Sequence, residues 1–425
     1  MKLRGNTIFY SLMISSIIAV LMGGFLLVHS YQIAFIQPFY HQEIALENLL
    51  YVLEEQLSRG LPHDHLAIGL ENTTDSASLH IEDWGLYKIV HGRGVHGREK
   101  WQRSCLAGQG FVKSRVPSLF LTDQKQPLII CGKTQLKGNL FLPSSGIRKG
   151  NIGRRYFEYS QLYEGAVFSS KNRKKPIQYH NLEHIQSILE GIIQSKSEPE
   201  TYILENALIH HPWDSGIYTL STPYSLEIAS GMIQGKVMII SQGEIIIHPD
   251  AKLEHTLIIA RSIRIKTGFQ GVIQAYATDR LVIESKVNLG YPSVAGVFGH
   301  GDQASTLTID SESQIEGGVI FDKEIFEAEP HRQDRLQIAK GAKVWGSVYA
   351  SHHLELQGSV YGQVITDDFI LETAGTQYKN YLLDAVIDPG ELSENFAGPM
   401  IYPGKNFRVI EWLNDDFEEL NQEDL

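Results

Sequence analysis

Aliphatic and polar positions follow one spacing in several distant parts of the chain. From Leu336 the sequence reads LQIAKGAKVWGSV, with Leu336, Ile338, Val344, Gly346 and Val348 as its spine. LTIDSESQIEGGV carries the same spine at Leu307, Ile309, Ile315, Gly317 and Val319. LIICGKTQLKGNL carries it far upstream, at Leu128, Ile130, Leu136, Gly138 and Leu140. A fourth copy keeps the aliphatics Ile245, Ile247, Leu253 and Leu257 but places His255 where the others have glycine. Shortened copies begin at Leu226 (then Ile228, Ile233, Gly235, Val237) and at Leu354 (then Leu356, Val360, Gly362, Val364).

Within each half of a copy every second residue is aliphatic, which is the period of a strand. A polar or Gly-containing bend joins the two halves. Such a unit cannot bury its apolar face alone, so copies must stack on one another. The pattern predicts a parallel β-helix, aliphatics inward and polar residues outward. The alternative is a β-sandwich whose strands share the spacing by coincidence. Gly138, Gly317, Gly346 and Gly362 are predicted structural glycines, at a bend or a close backbone approach.

The N-terminus follows a different rule. From Thr7 to Val28 there is no charged residue, a length that spans a bilayer core as a helix. Lys2 and Arg4 precede it, and the outer flank carries Glu43, Glu47, Glu54 and Glu55 before Arg59. The positive-inside rule then leaves the N-terminus in the cytoplasm and the rest outside. A cleaved signal peptide is the rival, but HSYQIAF offers no small-x-small site. Residues 38–60 read as an amphipathic stalk helix opened by Pro38 and ended by Gly60 and Pro62, with Ala45, Leu49, Val52, Leu53 and Leu57 on one face.

The remaining segments are less periodic. Residues 61–125 read as a small mixed domain, with LYKIV (86–90) and LFL (119–121) as strands and VHGRGVHG (90–97) as a loop. Residues 126–170 hold the first β-helix rungs. Residues 171–224 read as a helical insertion, because Ile185, Ile188, Leu189 and Ile192 form one stripe. The β-helix proper covers 225–373, interrupted by a protruding loop from Phe321 to Arg335. Residues 374–425 form a C-terminal cap and acidic tail. There Glu411, Asp415, Asp416, Glu418, Glu419, Glu423 and Asp424 surround Trp412 and Phe417. Val409, Ile410, Trp412 and Leu413 are expected to cap the end of the β-helix, or the tail to dock on a basic partner.

Composition changes this picture only at the edges. A chain of 425 residues exceeds one ordinary domain, and its formal net charge of -12 argues against general binding to nucleic acid. The two cysteines, Cys105 and Cys131, are a candidate disulfide in an oxidising compartment, with two separate buried thiols as the alternative. His180, Glu183 and His184 fit the HxxEH zinc-peptidase spacing, but no third ligand stands out, and a polar helix face matches so short a motif by chance. Asp367 and Asp368 are adjacent, and Asp322, Glu324, Glu327 and Glu329 sit in the interrupting loop. Glycan cleavage would need such acids on one face, whereas neighbours in a strand point to opposite faces. Arg148, Lys149, Arg154, Arg155, Lys171, Arg173, Lys174 and Lys175 form a basic stretch suited to lipid headgroups or an acidic partner. There is no P-loop, dinucleotide fingerprint or nucleophile elbow, and no cofactor is expected.

Two families share features with these residues. The Gly-punctuated run AKVWGSVYASHHLELQGSVYGQVITDDFIL resembles the bactofilins, which implies a polymer-forming β-helix over residues 226–373 and no site residues. Bactofilins act on the cytoplasmic side, whereas the charge bias here places the repeats outside. Lys2, Arg4 and Gly5 before an apolar helix resemble a type IV prepilin leader, which implies cleavage between Gly5 and Asn6. The usual Phe or Met after the cleavage point is absent, and Tyr10 stands where that family usually has Glu.

The expectation is a mainly β protein with an inner-membrane anchor (cytoplasmic residues 1–6, membrane helix 7–28). Its expected role is a non-enzymatic structural or assembly component of a bacterial envelope apparatus, pilus-like or secretion-like. Its partners would be other envelope proteins and further copies of itself. The alternative is a membrane-tethered β-helix that binds or cleaves glycans.

Overall fold

The computed structural model describes residues 5–61, 65–69, 75–111, 116–172, 177, 182–195, 198–301, 303–324, 334–373, 375–402 and 406–413. The protein is mainly β with one long apolar N-terminal helix. It divides into two compact units. The first holds Met1–Ile81 and Val90–Arg103, and the second Glu82–Ile89 and Ser104–Leu425.

In the first unit the two predicted helices are one uninterrupted run. Helix α1 (Gly5–Tyr31) passes through a π-helical turn (Gln32–Ile36) into α2 (Gln37–Arg59). Pro38, expected to open the second helix, brings no N–H to the helical ladder, and the widened turn lies directly before it, so α1 and α2 join without interruption. The predicted stripe is buried: Ala45, Leu49, Val52, Leu53 and Leu57 all face inward. VHGRGVHG is not a loop but belongs, as far as His96, to the strand Tyr87–His96. Its glycines explain this, because α2 approaches so closely that a Cβ on Gly94 would lie 1.9 Å from the Ala45 carbonyl oxygen. A Cβ on Gly92 would lie 2.4 Å from Leu49 Cδ1.

The second unit is dominated by strands paired in parallel. Val237–Ile247, Ala251–Ile265, Gln270–Ile283, Asn288–His300, Gln314–Glu324, Lys343–Leu356 and Ser359–Glu372 lie side by side in chain order. The sequence repeats superimpose residue on residue. Leu307 pairs with Leu336 and Leu336 with Leu354. Ile315, Val344 and Val360 align, as do Val319, Val348 and Val364. All of these belong to one buried core. Each such side chain contributes about 1.5–3 kcal/mol of transfer free energy, an upper bound because unfolded chains already bury some surface.

Gly317, Gly346 and Gly362 stand in register at one corner with φ of 139°, 134° and 155°. A Cβ on Gly346 would lie 1.9 Å from the Gly317 carbonyl oxygen. The backbones therefore stack at a distance that excludes a side chain as well as in a conformation that disfavours one. His255, with φ of 56°, takes the left-handed conformation at the position where other copies have glycine.

Spatial order departs from sequence order. The first copy in the sequence lies beyond the last one. Ser359–Glu372 pairs with Leu119–Leu121 and with Val386–Ile387, and both of these pair with Gln135–Leu142. Glu164–Ser169 follows as the final strand. Among the described residues of the predicted helical insertion at 171–224, the α-helix is α3 (Glu183–Gln194). Glu198–Leu204, Ala207–His211 and Tyr218–Thr222 are instead strands at the opposite end, each paired in parallel with a strand of the segment 224–247. The chain leaves one end of the stack at Ser169 and rejoins it at the other. Along the way Ile185, Leu189 and Ile192 of α3 pack with the outward-facing Met238, Leu257, Ile259 and Tyr276.

The expected end cap is also corrected. Phe407–Leu413 pairs antiparallel with the Ser104–Gln109 part of Glu99–Gly110, and Leu413 joins the cluster on the lateral face of the stack. Gln274 ties this layer down: it accepts from the Leu86 amide (3.0 Å) and donates to the Trp84 carbonyl (2.9 Å).

Candidate functional site

The first candidate surface is the N-terminal helix. The N-terminal helix is long and apolar enough to cross a membrane. Its large apolar side chains, among them Phe9, Leu12, Leu21, Phe25 and Leu27, are all exposed. Water would not tolerate so continuous an apolar surface, whereas a bilayer would bury it. Gly5 and Asn6 form the start of α1, and Lys2 and Arg4 lie outside the described residues.

The two ends of the parallel stack form the second. Interior strands have a neighbour on each side. Among the described strands, Glu164–Ser169 has one partner, Gln135–Leu142, and its residues are exposed throughout. At the opposite end Glu198–Leu204, Ala207–His211 and Tyr218–Thr222 also have neighbours on one side. Val167 and Phe168 are exposed at the first end, and Tyr202, Ile203, Leu208 and Tyr218 at the second, with Leu208 82% exposed. Open strand edges with apolar side chains are templates for pairing with another chain. The sequence marked neither end, because a repeat that lacks a neighbour still has the composition of a strand.

The carboxylates that the sequence suggests for glycan chemistry are engaged separately. Asp367 accepts from the Thr122 hydroxyl (2.7 Å), while Asp368 pairs with His353 Nδ1 (2.6 Å) and Lys379 (3.2 Å). Burial alone would raise the Asp368 carboxyl, but His353 and Lys379 hold it below the ordinary value. The strand Gln314–Glu324 runs further into the predicted loop than expected, leaving Asp322 and Lys323 buried. Glu327 and Glu329 lie outside the described residues, as do His180, Arg173, Lys174 and Lys175. Glu183 and His184 are exposed on α3, on the side away from its buried stripe. In the basic stretch, Arg155 pairs with Asp384 at 2.8 Å.

The expected disulfide is not formed. Both cysteines are free and buried. Cys105 lies opposite Trp412 in the antiparallel layer. Cys131 sits in a separate cluster with Ile152 and Leu371. Burial, reinforced by Asp384, pushes the Cys131 thiol up to about 11, so it stays protonated and unreactive.

Two polar constellations had no sequence signal. Lys323 and Asp334 form an ion pair at 2.8 Å with both side chains about 1% exposed. Asp334 also accepts from the Ser305 amide at 2.8 Å. The second lies at the His255 corner, where the Glu411 carboxylate is 3.3 Å from His255 Nδ1. The Trp213 ring stands edge-on to His255 at 5.7 Å. Burial lowers His255 to about 4, while burial and then the Glu254 charge raise Glu411 to about 7. Both groups are thus favoured in their neutral forms.

No known protein family matches the chain, and no curated protein matches it. Among solved structures, the competence-associated pilin ComZ from Thermus thermophilus is similar at 11% sequence identity and a TM-score of 0.22, over 89% of this chain and 96% of that one.

Proposed function

We propose that this chain is a non-enzymatic component of a bacterial envelope apparatus, pilus-like or secretion-like, anchored in the cytoplasmic membrane by α1. In this reading the parallel stack is a β-helix held outside the cytoplasm, and its ends meet other envelope proteins or further copies of the chain. The observation that carries the reading is the pair of apolar, open-edged stack ends on a chain with a membrane-length apolar helix. The basic Lys2 and Arg4 against the acidic outer flank support the orientation. Processing between Gly5 and Asn6 fits the same kind of apparatus.

The test uses the full-length protein in membranes. Cysteines at Val167 and Ile203, one at each stack end, should give a ladder of disulfide-linked oligomers if end meets end between copies. Linkage to a different envelope protein would identify another partner at that end. A monomer under both single and double substitution would refute assembly through the ends. A reporter fused after Leu425 should be active only outside the cytoplasm, and cytoplasmic activity would overturn the orientation.

A further inference from the structure

The second unit contains a half-open cavity of about 470 Å³ between the outer face of the stack and the antiparallel layer. This is within the size range of small-molecule sites. One wall is a ladder in register: Ile365 pairs with Phe120, Phe120 with Phe141, and Phe141 with Phe168. The rings of Phe120 and Phe141 stack at 6.1 Å and those of Phe141 and Phe168 at 5.0 Å. Ile365, Phe120 and Phe141 line the cavity, and Phe168 carries the ladder to the open end of the stack.

Two features restrict the occupant. The phenyl rings cover one another's faces, so the wall presents ring edges. A planar base, which stacks on a free aromatic face, finds no platform on that wall. Flexible methylene chains make good contact with such edges. Among the described residues the lining also includes one cation, Lys171, with the neutral polar residues Gln109, Ser169, Ser347, Gln363 and Tyr402, and no carboxylate. Its electrostatics therefore favour an anion.

We propose that the cavity binds a single acyl chain bearing an anionic head, the chain lying along Phe120, Phe141 and Ile365 and the head held by Lys171. The site is independent of the assembly role proposed above.

A photoreactive fatty acid tests this on the full-length protein in membranes, with labelled peptides mapped by mass spectrometry. Label is expected in the peptides containing Phe141 and Ile365 as well as in α1, which reports simple partitioning into the bilayer. Phe141→Trp fills the cavity from the stack face and should abolish the first label while leaving that in α1. Ser347→Phe fills it from a different strand and covers the case in which Phe141→Trp does not fold. Lys171→Gln should weaken labelling by the acid several-fold but not by its methyl ester. Label confined to α1, or cavity label unchanged in both filled variants, would overturn the proposal. Cavity labelling by a photoreactive oligosaccharide that competes with the fatty acid would overturn the ligand class. Equal labelling by acid and ester would overturn the anionic head.

Discussion

Interior and terminal strands of the stack use similar residues with opposite results. In the interior strand Ser359–Glu372, Val360, Val364 and Phe369 are fully buried between neighbours. In the terminal strand Glu164–Ser169, Val167 and Phe168 are exposed. Both strands have the same period and comparable apolar content. What differs is whether a second strand stacks on them. In this architecture burial belongs to the pair of neighbours rather than to the strand, so stability concentrates inside and open strand edges lie at the ends.

The largest expected effect lies in the interior. Asp334→Ala leaves the Lys323 ammonium buried without its counter-charge and should cost about 3–5 kcal/mol. Chemical denaturation of the full chain checks this, and a loss below about 1 kcal/mol would mean that the site opens to water. Replacing both partners by apolar residues should cost much less than either single change.

Corner glycines test the comparison directly. Gly346→Val meets the Gly317 carbonyl within the stack and should cost about 3 kcal/mol through strain and overpacking. Gly165, with φ of 121°, would place a Cβ 2.2 Å from the Gly138 carbonyl, an equally tight approach. It lies on the terminal strand, which can move outward, so Gly165→Val should cost about 1 kcal/mol. Equal costs at the two sites would show that the end strand is held as firmly as an interior one.

The His255–Glu411 corner predicts a pH profile. Glu411 is raised from 4.5 to about 7, so its contribution is present below pH 4.5 and lost as pH rises through about 7. His255 is lowered from 6.5 to about 4, so its contribution is present above pH 6.5 and lost as pH falls through about 4. The two slopes oppose each other between pH 4.5 and 6.5 and should nearly cancel. Melting midpoints of Glu411→Gln should climb with pH across that window, and those of His255→Gly should fall. Parallel profiles for the two variants would refute the pairing.

The smallest effect on stability belongs to the ends. Leu208→Ser and Val167→Ser should change monomer stability by less than about 0.5 kcal/mol, because their side chains are already exposed. The same substitutions should lower end-to-end crosslinking, which separates assembly from folding.

Much of this architecture is legible in the amino-acid sequence. The aliphatic spines at 307–319 and 336–348 define their own register, since an alternating pattern can bury one face in only one alignment. The stripe Ala45 to Leu57 is legible for the matching reason in a helix. VHGRGVHG reads as a loop because glycine is common in loops, whereas here it makes room for α2. Residues 198–222 do not read as strands because only a few of their apolar residues, Leu204, Ile209 and Leu220, pack against the core, so the alternating pattern is weak.

Local periodicity, glycine placement and the run of uncharged residues therefore determined the strands, the stacking and the membrane-length helix, because each depends on neighbours a few residues away. The order of the repeats in space was decided only by the tertiary structure, because all copies carry equivalent spines and any could stack on any other. The connection through α3 selects the order, by carrying the chain from Ser169 at one end to Glu198 at the other. The buried Lys323–Asp334 pair, the His255–Glu411 corner and the cavity beside Phe141 likewise exist only where strands distant in sequence meet, because a charge or an aromatic ring acquires its environment from the residues packed around it.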